Sequence, residues 1–146
     1  MTTPKKKKTD ENDTSISLYP TYRIRRDKLS TMTDTCRQLT AGVRANEPGN
    51  LLYVYSVAED TTTTTTTTNN EAGGATLLLL QCRETYKDVD AVKFHLQNSG
   101  PLFATFMENV ESFVGCEIHG PTDALEELKS SPLHAMNPTY FETMRL

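Results

Sequence analysis

Gln81-Cys-Arg-Glu-Thr-Tyr-Lys-Asp-Val-Asp-Ala-Val-Lys-Phe-His-Leu96 is the stretch whose reading decides the fold. It leaves an apolar run of strand length, Leu77 to Cys82, and reaches a helix within a few residues. Asp88 stands where an N-cap belongs, and Ala91, Val92, His95 and Leu96 recur at helical spacing on one face. That spacing puts a histidine on the inner side of the helix, with Glu84 and Tyr86 at the strand end just before it. Upstream, Glu47-Pro-Gly-Asn-Leu-Leu-Tyr53 reads as a helix stopped at Pro-Gly and a new strand begun.

Working outward, Ser17 to Arg26 alternates loosely and predicts a first strand, with Pro20 confining its start to an edge or a bulge. Asp27 is the expected cap of the next helix, in which Leu29, Met32, Cys36, Leu39 and Val43 step by three and four. Leu51 to Ala58 is a strand apolar on both faces, the pattern of a sheet covered on two sides. Thr76 to Arg83 pairs with it as an antiparallel hairpin. The helix begun at Asp88 weakens at Asn98-Ser-Gly100. Pro101 then opens a continuation that turns Leu102, Phe103, Phe106 and Val110 inward. Phe113 to His119 is a fourth strand, alternating Val114, Cys116 and Ile118 against Gly115, Glu117 and His119. Thr122 or Asp123 caps a short helix, Ala124 to Lys129, with Glu126 closing a capping box on Asp123. The end, Asn137-Pro-Thr-Tyr-Phe-Glu-Thr-Met144, suits a last short strand. The order β-α-β-β-α-β is the split βαβ of a ferredoxin-like α+β domain with an antiparallel sheet.

At 146 residues the chain is one domain. Residues 1–15 are expected to be a disordered tail, 16–146 the folded domain, and 59–75 a flexible insert built around Thr61 to Thr68. The formal net charge is −4, and Lys5 to Lys8 are offset by Asp10, Glu11 and Asp13, so the folded body is acidic. An acidic body excludes a nucleic-acid surface, which needs clustered Lys and Arg. The three cysteines, Cys36, Cys82 and Cys116, have no C-x-x-C spacing and sit in apolar segments, as buried free thiols of a reducing compartment do. No apolar run approaches membrane-spanning length and no signal-peptide pattern opens the chain, so a cytoplasmic protein with no membrane partner is expected.

Together, E-P-G-x-x-x-Y followed by E-x-[WY]-x-D-x-x-A-x-x-x-H resembles the antibiotic biosynthesis monooxygenase family, whose members are small ferredoxin-like domains that pair into dimeric α+β barrels. The resemblance spans Leu18 to Phe141, interrupted by the threonine insert. It implies a homodimer and a monooxygenase without metal or flavin. Such an enzyme binds a small phenol or quinol, and the substrate's own carbanion reduces oxygen. Where family members continue as H-x-x-S-P-H, this chain reads His95-Leu-Gln-Asn-Ser-Gly-Pro101 and has no second imidazole. It has no Trp at all, which argues against the haem-degrading branch.

His95 is the leading catalytic candidate, because imidazole titrates near neutral pH. The other reading is a packed histidine bonded to a backbone carbonyl or to Glu84. Glu84, the second catalytic candidate, either fixes the His95 tautomer or is a strand-end acid paired with Arg83 or Lys87. Tyr86 either stacks on a substrate ring or is a core aromatic. Tyr53, Phe103 and Phe106 complete the expected substrate-binding set, and at most one of Tyr53 and Tyr55 is expected to line the same cavity. His119 and His134 have no ligand-spaced neighbours and read as surface or turn residues. The competing function is a non-catalytic dimer that binds a small hydrophobic or aromatic ligand, or serves a stress-related role. The enzyme predicts a cavity with His95 and a further polar group aimed into it. The binding module predicts His95 bonded away or the pocket filled by Phe103 and Phe106.

Overall fold

The computed structural model describes residues 13–61 and 76–146. The Lys5–Lys8 tail and most of the threonine run lie outside the described residues. Among the described residues, five strands and four α-helices follow in the order β1 (Ile16–Arg25), α1 (Leu29–Asn46), β2 (Asn50–Glu59), β3 (Leu77–Tyr86), α2 (Val89–Asn98), α3 (Gly100–Glu108), β4 (Ser112–Gly120), α4 (Thr122–Leu128) and β5 (Thr139–Glu142). The sheet order is β2-β3-β1-β4-β5. Neighbours among its first four strands pair antiparallel, the ferredoxin-like arrangement. β5 pairs parallel to β4, so the sheet is mixed and not wholly antiparallel.

Period-two alternation explains the core. Ile16, Leu18, Tyr22 and Ile24 of β1 are buried on the face that the helices cover, as are Leu78, Leu80, Cys82, Glu84 and Tyr86 of β3. The inner stripe of α1, Met32, Cys36, Leu39 and Val43, packs into the same cluster as Tyr22 and Leu80. Each such apolar side chain contributes about 1.5–3 kcal/mol on burial. Asp88 caps α2 as its spacing predicts, accepting from the Ala91 backbone N–H at 2.9 Å.

Several local readings change. A single 3₁₀ turn, Arg26 to Lys28, precedes α1, and Asp27 pairs with Arg25 instead of capping. α4 has Pro121 at its N-cap with no side-chain cap there, and Glu126 pairs with Lys129, so no capping box forms. Pro20 sits in the central strand. The β1–β3 ladder skips Tyr19 and Pro20, and a register shift follows at Thr21/Tyr22 on the β4 side, which is how the sheet tolerates a missing N–H. Val114 falls at that irregularity and is exposed, not inward. β2 is buried on one face only within this chain, with Leu52 and Val54 exposed. Glu59 still belongs to β2, and Asp60 is buried against Arg23 at 2.6 Å, so the expected insert begins two residues too early. Thr14 likewise donates to the Lys87 carbonyl at 2.6 Å and is tied to the domain.

Candidate functional site

Glu47 is delivered by the turn that ends α1. Its backbone N–H closes the helix on the Val43 carbonyl at 2.9 Å, and Pro48 prevents another turn. Gly49 then lies against α2: a Cβ there would stand 2.6 Å from the Cβ of Ala91. The Gly49 carbonyl accepts from the Lys87 N–H at 2.9 Å, fastening the turn to the end of β3. Because the turn touches α2 at Ala91, the Glu47 carboxylate reaches the residue one helical turn on, His95.

The His95 Nδ1 is 2.9 and 3.1 Å from the two Glu47 oxygens, and Asn98 Nδ2 donates to the same carboxylate at 2.8 Å. Facing a carboxylate, Nδ1 is the ring nitrogen placed to donate, and in the tautomer that does so the lone pair falls on Nε2. Nε2 lies 3.3 Å from the Ser99 hydroxyl and 3.9 Å from Glu84 Oε1. Ser99 donates to the His95 carbonyl at 2.6 Å, so its oxygen does not compete for that lone pair. Glu84 projects from the inner face of β3, where burial pushes its carboxyl above the ordinary carboxylate range against the opposing influence of His95. The Tyr86 hydroxyl donates to it at 3.4 Å, and the Cys82 thiol also bonds to it.

His95 and Glu84 open onto a cavity of about 280 Å³ between the sheet and α2–α3. Its walls include Leu18, Pro20 and Tyr22 of β1, Phe103 and Phe106 of α3, and Leu133 and Met136 of the 3₁₀ turn Pro132–Met136. The Phe103 and Phe106 rings stack 5.8 Å apart along the wall and leave the space open. Tyr53 and Tyr55 both line it, their hydroxyls 2.7 Å apart, because residues two apart in a strand share a face; only one of them was expected there. Burial raises both phenols far above their ordinary value, so they remain protonated donors. Burial also pushes the Cys36 thiol to about 11 and the Cys116 thiol to about 12, so neither supplies a thiolate at neutral pH.

The structure therefore brings His95, Glu84, Tyr53, Phe103 and Phe106 to one cavity. Tyr86 is not part of its lining. It is fully buried, with its ring 5.2 Å from that of His95, and it supports the pair from within the core. The partner of Nδ1 is Glu47, a residue that sequence reasoning read only as the end of a helix. Its signal was the acid standing immediately before Pro-Gly. His119 stacks on Phe141 at 4.5 Å and His134 bonds to the Tyr140 hydroxyl at 2.9 Å; neither lines this cavity. No group of three His, Cys, Asp or Glu arranged to hold a metal ion occurs among the described residues.

No family profile matches the sequence, and no curated protein does. Solved structures do match. MupZ from Pseudomonas fluorescens superposes with a TM-score of 0.71 at 25% identity, over 92% of this chain and 88% of that one. A protein provisionally named an antibiotic biosynthesis monooxygenase from Caulobacter crescentus CB15 gives a TM-score of 0.52 at 19% identity, over 73% of this chain and 86% of that one. One named in the same way from Nitrosomonas europaea gives 0.51 at 15% identity, over 75% and 92%. The chain shares its fold with these proteins.

Proposed function

We propose that the chain is a monooxygenase that needs no metal or flavin and acts on a small phenol or quinol enclosed between sheet and helices. The observation that carries this reading is the convergence of the His95 Nε2 and the Glu84 carboxyl, 3.9 Å apart, on one apolar cavity. Nε2 of His95 takes the phenolic proton, and Glu47 stabilises the imidazolium that results. The phenolate gives electrons to O₂, and a carbon–oxygen bond forms at the ring carbon para to the phenolate. The peroxide takes back the proton from His95. The ring proton is then lost as the O–O bond breaks. Glu84 protonates the departing hydroxide, and the ring proton restores Glu84. The sum is phenol plus O₂ giving quinone plus water. Tyr53, Phe103 and Phe106 hold the ring, and the apolar walls keep water from the peroxide.

Oxygen uptake with a panel of phenols and quinols tests the reading. His95→Ala is expected to lower turnover by about 10²–10⁴-fold with the circular dichroism spectrum unchanged. Unchanged turnover would remove His95 from the mechanism. Turnover that persists without oxygen would instead assign the His95–Glu84 pair to a proton transfer on the same ligand.

We also infer that a second copy of the chain covers the outer sheet face. Leu52 and Val54 alternate with the inward Tyr53 and Tyr55, and Val114 and Phe141 add to the exposed apolar area. A homodimer would bury these residues and give β2 the two-sided cover that its sequence calls for. No helix of the described residues is long and apolar enough to cross a membrane. The three free, buried thiols suit a reducing compartment, and we place the protein in the cytoplasm on that ground.

A further inference from the structure

The cavity lining, among the described residues, contains neither lysine nor arginine. Its polar groups are the hydroxyls of Tyr22, Tyr53, Tyr55 and Ser99, the thiols of Cys82 and Cys116, His95 and Glu84. The charges behind it are acidic: Glu47, 2% exposed at its side chain, abuts His95 on the side away from Nε2. We propose that the cavity admits only uncharged hydroxy-aromatic molecules and rejects those bearing a carboxylate, sulfonate or phosphate. The proposal deepens the reading of this site as one for phenols or quinols, and rests on it.

The physical basis is desolvation. Moving an anion into an enclosed apolar space costs several kcal/mol unless a cation or a cluster of donors meets it. Here the donors are phenols. The Tyr53–Tyr55 pair spends one of its two protons on its own hydrogen bond, so one remains for a ligand oxygen. With the Tyr22 hydroxyl that makes two neutral phenolic donors, which suit a phenol or a carbonyl and fall well short of solvating a carboxylate. An anion would also lie near Glu84 and Glu47, and would be repelled wherever either is ionised. Burial raises the pKa of the Glu84 carboxyl, and a neutral ligand brings no new charge beside it. A cationic ligand meets a cost of the same kind: to pair with Glu84 it would have to ionise a carboxyl whose burial disfavours losing its proton.

Three probes of matched shape separate these cases: 4-propylphenol, its carboxylate counterpart 3-(4-hydroxyphenyl)propionate, and its ammonium counterpart tyramine. Titration calorimetry of the full chain at pH 7.5 is expected to show 4-propylphenol binding about a hundredfold or more tighter than the carboxylate, from the desolvation cost above. Equal affinity for the carboxylate, or tighter binding of tyramine, overturns the charge filter while leaving the cavity as the binding site. Binding of none of the three overturns the underlying reading of the site as well. A gain-of-function variant provides the second arm. Gly100 lines the cavity at the start of α3, and a Cβ there would meet nothing within 4 Å. Gly100→Arg is expected to bring the carboxylate to within about tenfold of the neutral probe. If the variant folds, binds 4-propylphenol and still rejects the carboxylate, missing cationic partnership is not what excludes anions and the proposal falls.

Discussion

Glu84 is a carboxyl that folding drives toward its neutral form, and this has a measurable consequence for stability. Burial places its folded pKa above the unfolded value of about 4.3. The folded state therefore binds more protons than the unfolded state between those two values, so this residue's contribution is full below pH 4.3 and is lost as pH rises through the folded pKa. Glu84→Gln keeps the volume and the acceptor for Tyr86 but cannot ionise. The variant is expected to gain in melting temperature relative to the wild type as pH rises from 4 to 9, and to lose that advantage at pH 4. A pH-independent difference between the two would mean that Glu84 is not held neutral by the fold. Residue types and spacing were enough to single out His95 and Glu84, because a histidine at the inner helical phase and an acid at the strand end are local facts. Their actual bonding was not legible. The Nδ1 partner stands 48 positions away in the chain, and only the docking of one turn on another helix brings it near. The pairing of Tyr53 with Tyr55 needed nothing beyond strand periodicity, and there the sequence reading misjudged a face.

The Glu47-Pro48-Gly49 turn and α2 form a single device, and its fit depends on a missing methyl group. A Cβ at position 49 would clash at 2.6 Å with the Cβ of Ala91, a side-chain atom fixed directly to the α2 backbone and unable to swing aside. Gly49→Ala is expected to cost about 1–3 kcal/mol by overpacking and to move Glu47 away from His95. Adding Ala91→Gly removes the opposing methyl and should recover most of that loss, less about 1 kcal/mol for a glycine inside a helix. Urea denaturation of the two single variants and the double variant supplies the cycle. Additive losses would show that the two residues do not meet. Elements such as α1, β3 and the Asp88-capped α2 were readable because their periodicity and caps are carried within a dozen residues. The caps proposed at Asp27 and Asp123 failed for a common reason. Arg25 offers Asp27 a charged partner, and Pro121 starts α4 before Asp123 could cap it. The mixed character of the sheet was also hidden, because the direction of a four-residue edge strand is set by the path of the chain through α4 and not by its own sequence.

At the scale of the molecule, the helices cover one face of the sheet and leave the other uncovered. Leu52, Val54, Val114 and Phe141 are 39%, 36%, 46% and 42% exposed in the single chain. Monomeric proteins rarely leave such apolar area in water, and a two-fold pairing of this surface would bury the same residues from both copies. The two-sided apolar character of β2 was visible in the sequence; which surface would supply the second cover was not, because a single chain encodes only half of an interface. The wild-type protein is expected to run at twice its chain mass in light scattering at micromolar concentration. Val54→Asp would place a carboxylate on that apolar face in each copy and is expected to yield a monomer. Because Val54 points away from the cavity, the monomer's affinity for 4-propylphenol should change by less than about threefold if each chain holds a complete site. A wild type that stays monomeric at high concentration would leave the apolar face without its proposed cover. A Val54→Asp monomer that no longer binds would show that the partner completes the cavity.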